Sequence, residues 1–164
     1  MSERFYFTRR GLANLHEKIE GLKKKLNDIQ SQVAYVAEIC GDQWHDNPAY
    51  KSLEIDIQQM DRRLADAYQV LSKVTIVEPP TNFDRVTIGT RVKVIYDGEE
   101  MRLEIVSFGE SDPDCGMIAY NTPIASLIIG KRRGEVVSGT IAGRQTEIEV
   151  LEITKGGEED VHSS

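Results

Sequence analysis

The sequence predicts an α+β protein, an N-terminal antiparallel coiled-coil hairpin followed by a small β-rich domain, and two observations carry that expectation. Apolar residues recur at alternating intervals of three and four from Leu12 to Val74, and beyond Pro79-Pro80 this gives way to short strand-like runs between turn residues. A chain of 164 residues, 40% of them hydrophobic, holds one ordinary domain or two small ones with enough apolar material for a core.

The first seam runs Leu12, Leu15, Ile19, Leu22, Leu26, Ile29, Val33, Val36, Cys40, and the second runs from Tyr50 through Leu64 to Val74 by the same rule. Both spacings are those of a heptad, with charged and amide residues between, so both segments are expected as long helices. Thr8 is placed to cap the first, and Gly21 inside it costs about 1 kcal/mol relative to Ala. Residues 41–49, Gly-Asp-Gln-Trp-His-Asp-Asn-Pro-Ala, hold a helix-ending Gly, acids and an Asn that can cap, and a Pro suited to a first turn. They predict a tight reversal between antiparallel helices, each roughly 40–50 Å long at 1.5 Å per residue. Self-pairing within the hairpin predicts a monomer.

Two prolines after Glu78 stop any helix, which sets the expected division into 1–78 and 79–155. Strands are expected at 91–96, 101–108, 116–120, 135–141 and 145–153, with one short helix over 124–129 after Thr122-Pro123. The remainder, 156–164, is an acidic tail expected to be flexible.

Charge narrows the function. Twenty Lys and Arg against 27 Asp and Glu give −7, which disfavours unspecific binding to bare DNA or to an anionic membrane. Residues 1–78 carry 11 basic and 12 acidic side chains and residues 79–164 carry 9 and 15, so the acidity belongs to the second half. No signal-peptide core and no run of 18 apolar residues occurs, which predicts a cytoplasmic protein without a membrane partner. Cys40 and Cys115 fall in segments of different character and are not expected to form a disulfide.

Three stretches together closely resemble the bacterial Gre family of transcript-cleavage and elongation factors. These are Phe7-Thr8-Arg9-Arg10-Gly11; the reversal with Gly41-Asp42, Asp46-Asn47 and Tyr50; and Ile105–Pro113 with Thr122-Pro123-Ile124-Ala125, Gly130-Lys131 and Gly134-Glu135. The resemblance implies an FK506-binding-protein-like second domain that docks on RNA polymerase, with Asn121, Thr122 and Pro123 at the contact. It implies a hairpin inserted into the polymerase secondary channel, with Asp42 and Asp46 at its tip securing a Mg²⁺ shared with the polymerase, and Asn47 and Tyr50 as partner contacts. Trp44, a large apolar side chain expected at an exposed tip, is read from its own character as a further contact with polymerase or nucleotide. The function so implied is stimulation of cleavage of backtracked nascent RNA. The factor alone would be no enzyme and would bind no cofactor tightly. The tip has one residue more than the family's Gly-Asp-x-x-Glu-Asn-x-x-Tyr pattern, Asp in place of Glu, and Trp44-His45 where small or polar residues are usual, so a Gre-like channel binder that inhibits polymerase stays open as the alternative.

The residues bear on this independently. Two carboxylates are too few for a dedicated Mg²⁺ cage, which demands octahedral oxygen coordination, so Asp42 and Asp46 suit a site completed by another molecule. Either can instead serve as a loop acid or cap, Asn47 being the better cap candidate before Pro48. Lys23, Lys24, Lys25, Arg62 and Arg63 fall in one band of an antiparallel hairpin and are candidates for RNA or polymerase contact, with a plain solvated face as the competing reading. Peptidyl-prolyl isomerase activity needs an apolar, aromatic-lined pocket, and the second half offers only Phe83, Tyr96, Phe108 and Tyr120 for one.

Overall fold

The structure, a computed structural model, describes residues 3–157. The expected acidic tail lies outside the described residues from position 158 onward. The chain divides into two compact units, one built on Leu12–Val74 and the other on Phe5–Gly11 together with the chain from Thr75 onward.

In the first unit, helix α1 (Arg9–Cys40) leads through a 3-10 helix (Gly41–Asp46) into helix α2 (Pro48–Leu71). Its buried core is short: Ile19, Leu22, Leu64 and Ala67, with Leu15, Leu26, Met60 and Leu71 packed against them. That set mates the near half of α1 with the far half of α2, as an antiparallel hairpin requires.

The second unit holds a five-stranded sheet in the order β5-β4-β3-β7-β6. Its strands are β3 (Thr90–Tyr96), β4 (Glu99–Val106), β5 (Met117–Ala119), β6 (Val136–Ile141) and β7 (Arg144–Lys155). All neighbours are antiparallel except β4 and β5. Two-residue turns with left-handed backbone close the β3–β4 and β6–β7 hairpins at Asp97-Gly98 and Ala142-Gly143. Alternate residues Val92 and Val94 on β3 and Ile148 and Val150 on β7 face a core that also takes Leu103 and Ile105 from β4 and Ala125 and Ile128 from helix α3 (Pro123–Ile128). One short helix packed on a β-rich core is the arrangement the FK506-binding-protein-like expectation requires. A Cβ added to Gly139 on β6 would lie 2.5 Å from Leu127 Cδ2, so the missing side chain there is what lets α3 seat against β6.

Two short strands, β1 (Phe5–Phe7) and β2 (Val74–Ile76), pair in a sheet of their own. Phe7 is buried, and β1 stacks Phe5 and Phe7 on Phe108 and Tyr6 on Tyr120 at centroid distances of 4.4, 6.4 and 5.6 Å. Residues 5–11 and 75–78 belong to the sheet unit, although the boundary expected at Pro79-Pro80 grouped them with the hairpin. Gly11 lies so close to the same surface that an added Cβ would meet Ser107 Oγ at 2.3 Å. No helix among the described residues is long and apolar enough to cross a membrane.

Candidate functional site

The hairpin tip is built by its capping chemistry. α1 ends at Cys40, and Gly41, at φ +54°, turns the chain into the 3-10 segment. Asn47 then leaves helical geometry at φ −75° and ψ 121°, and its Oδ1 accepts from Ala49 N at 2.9 Å, capping α2 with Pro48 in the first turn. The same side chain donates from Nδ2 to Cys40 Sγ at 3.1 Å, joining the end of α1 to the start of α2. Cys40 is half-buried and Cys115 exposed, and both are free thiols.

Trp44 and Tyr50, both expected as partner contacts, meet each other with centroids 4.4 Å apart, and Trp44 also lies against the His45 ring at 3.4 Å. Trp44 and Tyr50 are half-buried by this packing and give the tip a small aromatic core. Loss of hydration at Tyr50, with Glu54 beside it, pushes the phenol above its ordinary range.

Asp42 and Asp46 are exposed at the two ends of the 3-10 segment. A 3-10 helix has three residues per turn and rises about 2 Å per residue, so side chains four apart point about 120° away from each other and stand about 8 Å apart along the axis. Asp42 thus shares its side of the turn with His45, and Asp46 shares its side with Gln43. Ideal 3-10 geometry therefore sets the two acids on different sides of the turn. Among the described residues, no three His, Cys, Asp or Glu side chains gather as a metal site.

Leu22 and Leu64 belong to one buried cluster, which sets Lys23, Lys24 and Lys25 level with Arg62 and Arg63. Lys23 is engaged locally, 3.0 Å from Glu20 and 5.8 Å from the Tyr68 ring centroid; hydrogen bonding to Tyr68 and then Glu20 raises its pKa. The other four basic residues are exposed.

In the second unit, Asn121 and Pro123 are exposed and Thr122 is half-buried at the start of α3. Thr122 Oγ1 donates to Ala119 O at 2.8 Å and its carbonyl accepts from Ser126 N at 2.9 Å, which fixes the turn that presents its neighbours. A groove of about 520 Å³ on the same unit is lined by Phe83, Asp84, Arg132, Arg133, Glu152 and Ile153. Its mixed charge differs from the aromatic lining that proline isomerisation needs.

A helical hairpin with an exposed acidic turn, followed by a small β-rich domain, defines a two-unit α+β class of protein. Residues 79–155 match the family description "Transcription elongation factor, GreA/GreB, C-term". Transcription elongation factor GreA of Thermomicrobium roseum is 31% identical over 154 residues, covering 90% of this chain and 98% of that protein. GreA of a Sulfurovum species is 33% identical over 150 residues, covering 87% and 92%. The solved structure of the transcription factor Gfh1 aligns over 93% of this chain and 99% of that one, at 19% identity and a TM-score of 0.46. The chain belongs to the GreA/GreB family of transcription elongation factors.

Proposed function

We propose that this protein is a cytoplasmic elongation factor that binds RNA polymerase through its second unit, around Asn121, Thr122 and Pro123, and inserts the hairpin into the secondary channel. There it stimulates Mg²⁺-dependent cleavage of backtracked RNA. The observation that carries the reading is an exposed acidic turn at the end of a self-paired hairpin in a member of this family. A Mg²⁺ shared with the polymerase would supply Lewis acidity and a nucleophilic water to phosphodiester hydrolysis. The chain's own part is to carry a carboxylate to that ion and hold it there, with Asn47, Cys40 and the Trp44–Tyr50 contact stiffening the turn.

One observation favours a second reading. If Asp42 and Asp46 diverge as the 3-10 geometry dictates, a single approach presents one acid well and the other poorly, and the same arm can occupy the channel without promoting cleavage. RNA cleavage in a stalled polymerase complex, with and without the protein, decides between them. Asp42→Asn and Asp46→Asn should leave polymerase affinity unchanged and reduce cleavage unequally, with the double variant little worse than the weaker single. Deleting Gln43, which shortens the turn by one residue, should lower cleavage if the turn is already fitted and raise it if the natural protein is an inhibitor. Robust cleavage indifferent to both aspartates would sink the carboxylate role.

A further inference from the structure

The five-stranded sheet ends in two edges of different character. β5 is three residues long, whereas β6 runs six residues with no strand on its outer side. Val150 N donates to the Glu135 carbonyl at 3.0 Å, and the turn at Ala142-Gly143 closes on Ile141 opposite Arg144, so the odd-numbered positions carry the bonds to β7. Pairs in an antiparallel ladder alternate, which turns the N–H and C=O groups of Val136, Ser138 and Thr140 outward. Among the described residues, no backbone group outside the ladder bonds to these three. Edge strands are ordinarily guarded by charge, proline or a bulge. From Val136 to Gly143 this one has no charged residue and no proline, its register with β7 is unbroken, and Val136 is 53% exposed. Val136, Ser138 and Thr140 share a face with Glu149, Glu147 and Gln145, their partners on β7. Neither glutamate makes an ion pair among the described residues.

We propose that β6 is a strand-addition site, taking an extended, lysine- or arginine-bearing segment of another protein as a sixth strand of the sheet. The outward backbone groups specify an extended partner, since a strand offers donors and acceptors at the matching spacing. The unpaired acids specify its charge. Neighbouring strands lie about 4.8 Å apart, so a side chain on the added strand stands about 10 Å from Glu147, a gap that Lys and Glu side chains reaching toward each other close. On the opposite face Val137 and Ile141 are half-buried against the core and suit apolar side chains, so the segment alternates basic and apolar residues. A second copy fits poorly. It would bring the same acids to both sides of the junction, and a single six-residue strand pair buries far less than the roughly 1,200 Å² of a stable interface. Nucleic acid fits no better, because the acids repel phosphate. The site uses none of Asn121, Thr122 or Pro123 and stands whether or not those residues dock on polymerase.

The test uses the full chain and two short synthetic peptides with blocked termini, one alternating Val with Lys and the other alternating Val with Glu. The Lys peptide should bind at least about tenfold more tightly than the Glu peptide. Its binding should slow hydrogen exchange at the amides of Val136, Ser138 and Thr140, which are otherwise open to water. Ser138→Pro removes an outward N–H and no ladder bond, so the thermal midpoint should stay close to wild type while Lys-peptide affinity falls about tenfold. Glu147→Lys, at an exposed position, should erase the preference for the Lys peptide and decides the matter if Ser138→Pro does not fold. Equal binding of the two peptides, or no binding of either, overturns the proposal. So does a folded Ser138→Pro variant that binds as well as wild type, or a preference that Glu147→Lys leaves intact. A wild-type dimer that Ser138→Pro dissolves would give the edge to a second copy and overturn it as well.

Discussion

The two units bury their cores in opposite ways. Val92, Val94, Ile105, Ile128, Ile148 and Val150 of the sheet unit are all at 0% exposure and enclosed from several directions. The hairpin has a single file of contacts, and every residue between Leu22 and Leu64 is half-buried or exposed. A two-helix seam covers each apolar residue from one side only, so local stability must fall along the arm toward its tip. The difference teaches that the arm is held at its near end by packing and at its far end by capping and aromatic contacts, while the turn of Asn121, Thr122 and Pro123 rests on a rigid core.

The largest expected effect breaks this contrast if it is wrong. Ile105→Ala removes a fully enclosed side chain and should cost about 2–5 kcal/mol, whereas Val36→Ala in the distal seam should cost about 1 kcal/mol or less. Urea unfolding followed by circular dichroism measures both. Equal costs would mean that the distal seam is as tightly packed as the sheet.

What was legible in the sequence follows the same division. The seam gave both long helices because a heptad repeat recurs often enough to rise above local noise, but it ran one step too far, since α2 ends at Leu71 and Val74 opens β2. Asp97-Gly98 gave a hairpin because its turn chemistry is local. β1 and β2 were not legible, because Phe5-Tyr6-Phe7 and Val74-Thr75-Ile76 are too short to show a period and their pairing joins residues some 70 positions apart. The one available signal was the aromatic run itself, which has strand propensity and sits just before a helix cap. At the tip, the acids and the Asn47 cap could be read from residue type. The rotation between Asp42 and Asp46 could not, because whether six residues form an open loop or a 3-10 helix depends on how the two helix ends are joined, and Cys40 and Asn47 join them through a contact no spacing rule predicts.

A smaller effect sharpens the sheet side. Gly139→Val would drive a branched side chain into Leu127, forcing α3 off β6 at about 1–3 kcal/mol. Because α3 begins at Pro123, polymerase affinity should fall along with stability, and Leu127→Ala in the same chain should recover part of both by opening space. Lost stability with full affinity would separate the docking turn from the seating of the helix.

The smallest effect concerns alkaline pH, where the two units should respond from different starting points. Lys23 and Tyr50 in the hairpin both have pKa values raised above 10.5 and 10.0, the first by Tyr68 and Glu20, the second by lost hydration and Glu54. In the sheet unit, the Cys115 thiol is raised above 9.0 by its hydrogen bond to Asp112. In each case the folded form holds its proton more tightly than the unfolded chain, so the contribution is fully present below these ordinary values and is lost as pH rises through the higher folded ones. Lys23 and Cys115 are exposed and Tyr50 is only half-buried, so each contribution is small. The chain's single tryptophan, Trp44, packs on Tyr50, so its fluorescence reports the hairpin tip. Unfolding followed by that signal should hold steady to about pH 9.5 and weaken above 10, and Tyr50→Phe should flatten the decline more than Cys115→Ser does. An equal response to both substitutions would show that the units titrate together, and that the tip is not the locally weak end of the molecule.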